Sequence, residues 1–242
     1  MVTAERFASG MTFDEYVAYV GTPENLAREA GWWLGPRRHD FSGLLRDRYA
    51  RARLTEAQID AVRWLAAQPN GPARILVIAE EWSSDCRRDV PMLARLAEAG
   101  RLELRIFARD GRTLGRGHRA DPGESPNADL VNAFINEKDG QTWQSVPVVA
   151  FLARDFECLY HYIEFPAIYR KERLYTAMQV AHPGESKDQA WDRFMRDWRA
   201  LQESPFYSLW ASAAIDEMLS ALHERIVVGP PAPVTHETRR SP

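Results

Sequence analysis

The apolar positions fall into two periodicities, and the change from one to the other marks the elements. Ile75, Leu76, Val77, Ile78 and Ala79 form an unbroken apolar run. A run of this length and β-branched content predicts a strand covered on both faces. Met92, Leu93 and Leu96 then recur at helical spacing, so a helix follows after the short polar turn 80–85. Leu102, Leu104 and Ile106 alternate with Glu103 and Arg105, which predicts a second strand over 102–108, parallel to the first with the helix as crossover. Residues 110–126, rich in Gly, Arg and Pro, read as loop, and 128–135 as helix. Residues 147–153 form a third apolar strand. The turn Arg154-Asp155 leads into a fourth over 156–163, antiparallel to it.

Helices flank this middle on both sides. Thr12 with Glu15, Thr55 with Gln58, and Ser186 with Gln189 have capping-box spacing. Thr22-Pro23 and Ser204-Pro205 pair an N-cap with proline at the first helical position, and Asp40 is placed to cap the segment carrying Leu44, Leu45 and Tyr49. Ile59, Val62 and Leu65 make an apolar stripe that Gln68-Pro69-Asn70-Gly71-Pro72 ends. Residues 166–180 read as a helix. Trp191, Phe194, Met195, Trp198 and Leu201 give the next helix an aromatic stripe, and Leu209, Met218, Leu222 and Ile226 continue a last one. The proline-rich end, 229–242, reads as a disordered tail. The reading is one domain over 1–228, with its core at about 55–165 and helical extensions over 12–54 and 166–226.

The order strand, turn, helix puts Trp82-Ser83-Ser84-Asp85-Cys86 at a strand's carboxyl end and a helix's amino end, where open α/β sheets keep their chemistry. This pentapeptide resembles the thioredoxin signature Trp-Cys-x-x-Cys, with Ser83 in place of the first cysteine. Pro91 matches the helix-kinking proline of that family, and Val146-Pro147 falls where the family keeps a cis-proline. The chain is more similar to uncharacterised bacterial thioredoxin-like proteins than to thioredoxin itself. The resemblance implies an α/β thioredoxin-like fold: a four-stranded mixed sheet with helices on both faces, here with extra N- and C-terminal helices. It also implies that Pro147 faces the WSSDC turn, that Trp82 lines the site, and that the Val146 backbone can pair with an extended peptide.

Dithiol exchange needs an attacking thiolate and a second, resolving thiol. A serine at position 83 cannot form a disulfide. The buried carboxylate that thioredoxins hold five residues before the tryptophan is Val77 here. Ordinary thioredoxin activity is therefore not expected. Cys86 reads either as a buried packing thiol or as the centre of a one-cysteine redox or thiol-binding site. Arg87 and Arg88 would favour its thiolate, whereas Glu80, Glu81 and Asp85 oppose it. Ser83 reads as the helix N-cap, since the Gly-x-Ser-x-Gly of a nucleophile elbow is absent. Cys158, mid-strand, reads as a buried structural thiol.

Three functions remain open. The first is a thioredoxin-fold protein without dithiol chemistry that binds a peptide, a protein or a small thiol near Trp82, Ser83, Asp85, Cys86, Val146 and Pro147. The second is a single-cysteine redox enzyme using Cys86. The third is an interaction protein using its aromatic C-terminal helices. No cofactor is implied. The six histidines are scattered without metal-ligand spacing. The formal net charge of -3 gives no overall field for nucleic acid or anionic membrane. Arg105, Arg109, Arg112, Arg116 and Arg119 form at most a local basic patch. Two cysteines exclude a disulfide framework. The first residues lack a signal-peptide core and no apolar run reaches membrane-spanning length, so a cytoplasmic protein is expected.

Overall fold

The computed structural model describes residues 2–30 and 38–230. Trp32 and Trp33, His236 and the proline-rich end from residue 231 lie outside the described residues.

Among the described residues five helices precede the sheet strands, the first four being α1 (Ala4–Ala8), α2 (Phe13–Val20), α3 (Pro23–Leu26) and α4 (Ser42–Arg51). The Thr12–Glu15 capping box opens α2, with both reciprocal bonds made. Thr22 caps the single turn of α3. Asp40 acts one residue earlier than a side-chain N-cap. Its carboxylate accepts from the Ser42 amide at 2.8 Å, while Phe41 occupies the cap position. Helix α5 (Glu56–Ala67) starts at the Thr55–Gln58 box. It ends at the Pro-Asn-Gly-Pro break, where a Cβ on Gly71 would fall 1.9 Å from the Leu65 carbonyl oxygen.

Strand β1 (Arg74–Ala79), helix α6 (Ser84–Gly100) and strand β2 (Glu103–Ala108) form the parallel crossover unit. After α7 (Ala128–Ala133) comes a small hairpin, β3 (Asn136–Lys138) and β4 (Gln141–Trp143), which the polar pattern did not reveal. Its turn uses Asp139 and Gly140, both at positive φ. Strands β5 (Val148–Leu152) and β6 (Cys158–Ile163) run antiparallel and complete a mixed sheet of order β2-β1-β5-β6.

β1 and β5 are central, and every residue of β5 is buried, as are residues 75–79 of β1. That is why both read as continuous apolar runs rather than alternating ones. Helices cover both faces. On β6, Tyr162 lies towards Asp89 of α6. Its neighbour His161, on the opposite face, meets the Phe134 ring at the end of α7. Val17 and Val20 of α2 and Ile215 and Met218 of the last helix share one core with the sheet.

The C-terminal region differs from its pattern at one end. Residues 167–169 form a 3-10 turn and α8 begins only at Lys171 (Lys171–Gln179), because Arg170 sits at φ 44° and breaks the run. Helix α9 (Lys187–Glu203) opens with the Ser186–Gln189 box, and α10 (Pro205–Val228) follows at once. α8 buries none of its residues; Tyr175 meets Phe194 and Trp198 of α9 edge-on, at 5.0 and 5.2 Å. The aromatic stripe of α9 is thus used within the chain.

Cys158 is a correction: it is exposed, not a buried structural thiol. β6 is an edge strand, and its register against β5 shifts beside Leu152, so Leu159 takes the inward position that strict alternation would leave to its neighbour. Both cysteines are free thiols. Of the five arginines over 105–119, Arg109 turns inward onto Asp110 at 2.8 Å and Arg116 pairs with Glu29.

Candidate functional site

Ser83 caps α6. Its hydroxyl accepts from the Cys86 amide at 3.4 Å and donates to the Val146 carbonyl at 3.4 Å. The Val146–Pro147 bond is cis, and the Ser83–Val146 hydrogen bond holds that loop against the WSSDC turn. Cys86 is 1% exposed, with its sulfur 3.4 Å from the Glu80 amide, which donates to it. Burial pushes its thiol well above the ordinary range, and the nearby Asp85 and Glu80 carboxylates push the same way. The arginines do not offset this. Arg88 is engaged with two aspartates, and Arg87 donates to the Glu81 and Trp82 carbonyls at 2.8 and 2.7 Å. Val146, Pro147, Ser83 and Asp85 are all buried; Trp82 and Ser84 are half-buried.

Buried ion pairs close the turn on both sides. On the first side, Glu80 accepts from Arg28 at 2.7 Å, from Arg38 at 2.8 Å and from the Asp110 amide at 2.7 Å. Arg38 also reaches Glu81 at 2.8 Å and Asp110 at 3.4 Å, and Arg109 holds the other oxygen of Asp110. Trp82 donates its indole N–H to Asp110 at 3.0 Å, with the Arg109 guanidinium 5.0 Å from its ring centroid. Three carboxylates face three guanidiniums. Burial, reinforced by Asp110, pushes Glu80 up to about 7 against the pull of Arg28.

On the second side, Arg88 grips Asp89 with two bonds of 2.7 Å and Asp85 with one of 2.7 Å. It also donates to the Glu164 carbonyl at 3.0 Å. Lys171 reaches the other oxygen of Asp85, and the Tyr207 hydroxyl bonds the Ser84 carbonyl. Burial pushes Asp89 up to about 6 despite Arg88.

The structure thus brings all six expected site residues into one corner, but most of that corner is covered by the chain's own extensions. Sequence reasoning missed the residues that cover it: Arg28 and Arg38 before the sheet, and Lys171 and Tyr207 after it. The one available signal was the pair Glu80-Glu81 at the end of an otherwise apolar strand, which demands partners if buried. Among the described residues no group of three or more His, Cys, Asp or Glu side chains could hold a metal ion, and no helix is long and apolar enough to cross a membrane.

Residues 43–114, which contain β1, the WSSDC turn, α6 and β2, match the family model described as thioredoxin. No curated protein matches the chain. Among solved structures, a crystal structure of an HIV epitope scaffold is similar at 18% identity and TM-score 0.49, covering 92% of this chain and 98% of that one. A Pseudomonas aeruginosa protein of unknown function is similar at 15% identity and TM-score 0.48, with the same coverage. With its β2-β1-β5-β6 sheet and the match over residues 43–114 across the WSSDC turn, the chain is thioredoxin-like in fold.

Proposed function

We propose that this protein is a thioredoxin-fold binding protein without dithiol–disulfide exchange, taking a peptide, a protein or a small thiol at the surface beside Ser83, Cys86 and Pro147. The observation that carries this reading is the state of the two exchange positions. The Ser83 hydroxyl has both its hydrogen bonds committed within the fold, and Cys86 is a buried thiol held in its protonated form. Thiolate, not thiol, is the nucleophile, so the remaining cysteine is a poor one. The same facts weigh against the single-cysteine enzyme. Trp82 and Ser84, the half-buried members of the turn, are where a partner meets this corner.

Thiol titration tests the reading. The native protein is expected to present one thiol per chain to a bulky aromatic disulfide reagent, Cys158, and the denatured protein two. Insulin reduction with dithiothreitol is expected to stay at background. Rapid native modification of Cys86, or insulin turnover that a Cys86→Ala variant loses, would overturn it.

A further inference from the structure

A second concavity lies beside α6, behind the Arg88 and Tyr207 side chains that close one side of the WSSDC turn. It is a cleft of about 600 Å³ between the carboxyl end of α4, the middle of α6 and the α9–α10 junction. Arg48, Arg51 and Arg53 line one wall. Pro91, Met92 and Ala211 supply apolar surface opposite.

The positive charge here meets no carboxylate; the Arg48 guanidinium lies 4.9 Å from the Tyr207 ring centroid. Among the described residues none of the three arginines has a carboxylate within ion-pair distance; Arg51 and Arg53 donate only to backbone carbonyls of their own segment. Arg48 donates one bond, at 3.4 Å, to the Gln202 carbonyl. Its Nη1 is buried with no hydrogen-bond partner. A buried donor left unpaired costs about 1–3 kcal/mol, more when charged. Behind it, Arg87 is buried with carbonyls and the Gln202 amide as its partners, and its Nε is unpaired. Burial and the positive charge of Arg48 both hold Arg87 below its ordinary range.

The amino end of α10 borders the same cleft through Ser204, Tyr207 and Ser208. This helix of 24 residues has no side-chain cap; the Ser204 hydroxyl donates backwards to the Leu201 carbonyl. Pro205 has no N–H and the Tyr207 amide donates to the Ser204 carbonyl at 3.0 Å, so what this end adds is the partial positive charge of a helix terminus without a side-chain cap. Glu203, exposed at the rim, is the acidic residue of the lining. Arg88 also borders the cleft, but its charge is matched by Asp85 and Asp89.

We propose that this cleft binds an organic anion, a phosphate or carboxylate head on an apolar body, with the head between Arg48, Arg51 and the first turn of α10 and the body against Pro91, Met92 and Ala211. A bare anion would leave the apolar wall wet, and a neutral hydrophobe would leave the Arg48 N–H unpaired. A ligand with both parts satisfies both. The site is independent of the thiol chemistry of the WSSDC corner.

Phenyl phosphate is the probe, compared with inorganic phosphate and benzyl alcohol by calorimetry at low ionic strength. Saturable binding of one phenyl phosphate per chain is expected, tighter than either fragment and weakened by salt. Arg48→Leu should weaken it roughly tenfold or more, the worth of one charged hydrogen bond. Because Arg48 is half-buried, two variants at exposed positions keep the test decisive: Arg51→Ala, which removes a charge, and Ser208→Trp, which fills the mouth. Both should bind less tightly while keeping the parent's melting temperature. Absence of saturable binding, or binding that Arg51→Ala and Ser208→Trp leave unchanged, would overturn the assignment. Neither result would alter the thiol titration, which tests the other corner separately.

Discussion

Replacing Arg38 with alanine is expected to destabilise the protein by about 3–5 kcal/mol, the usual cost of removing one member of a buried ion cluster. The Arg38 side chain is fully buried and touches Glu80, Glu81 and Asp110. Without it, three carboxylates share a water-poor pocket in which, among the described residues, Arg28 and Arg109 remain to oppose them. The loss depends on pH, and the sign follows from Glu80. Its folded-state value already lies near 7 through burial and the charge of Asp110, and removing a cation raises it further. At pH 5 Glu80 can stay protonated and the repulsion is relieved; at pH 8 it must either ionise in the pocket or keep a proton that the unfolded chain would release, and both cost stability. The variant should therefore fall further below the parent at pH 8 than at pH 5, read from urea midpoints at both values. Arg6→Ala provides the contrast. The Arg6–Asp129 pair is largely solvent-exposed, and its loss should cost less than about 1 kcal/mol. An Arg38 effect no larger than that of Arg6 would mean water reaches the cluster, and the turn would not be locked on that side.

The second large effect is expected at Arg88. One guanidinium neutralises Asp85 and Asp89, bonds the Glu164 carbonyl, and lies 5.2 and 5.7 Å from the ring centroids of Tyr169 and Tyr207. It therefore ties α6 to the chain that follows β6. Arg88→Ala should cost about 3–5 kcal/mol and leave Lys171 as the cation facing two buried aspartates. It should also loosen the C-terminal extension selectively. Limited proteolysis ought to reach the α8–α9 hairpin, which buries little of itself, well before the sheet. Arg88→Lys should not rescue the loss, since an ammonium cannot make the two-pronged contact with Asp89 while holding Asp85. Lys171→Ala, at a partly exposed side chain, should cost clearly less. Uniform proteolysis across the chain, or full rescue by lysine, would show that Arg88 contributes charge alone.

Much of the framework was legible because its signals are local. The capping boxes at Thr12, Thr55 and Ser186 each involve residues three apart, and each is formed as read. The apolar runs of β1 and β5 announced strands buried on both faces. The hairpin at 136–143 was not legible, since its two three-residue strands are polar and lie outside the main sheet. The start of α8 was misplaced because an arginine in left-handed conformation leaves no mark in a hydrophobic pattern.

By itself, the order of residues determined that a strand–turn–helix unit carries WSSDC, that position 83 is a serine, and that helices flank the sheet. These follow from chemistry within one turn or one strand. Only the tertiary structure decided that Cys86 is sealed, that Cys158 is open to solvent, and that Glu80 meets Arg28 and Arg38. It alone placed Arg48, Arg51 and Arg53 around one cleft. The physical reason is that desolvation and charge pairing are properties of a place in space. The groups that set them here come from segments tens of residues apart, brought together by burial of apolar surface whose pattern fixes the elements but is silent about which polar side chains they bring together.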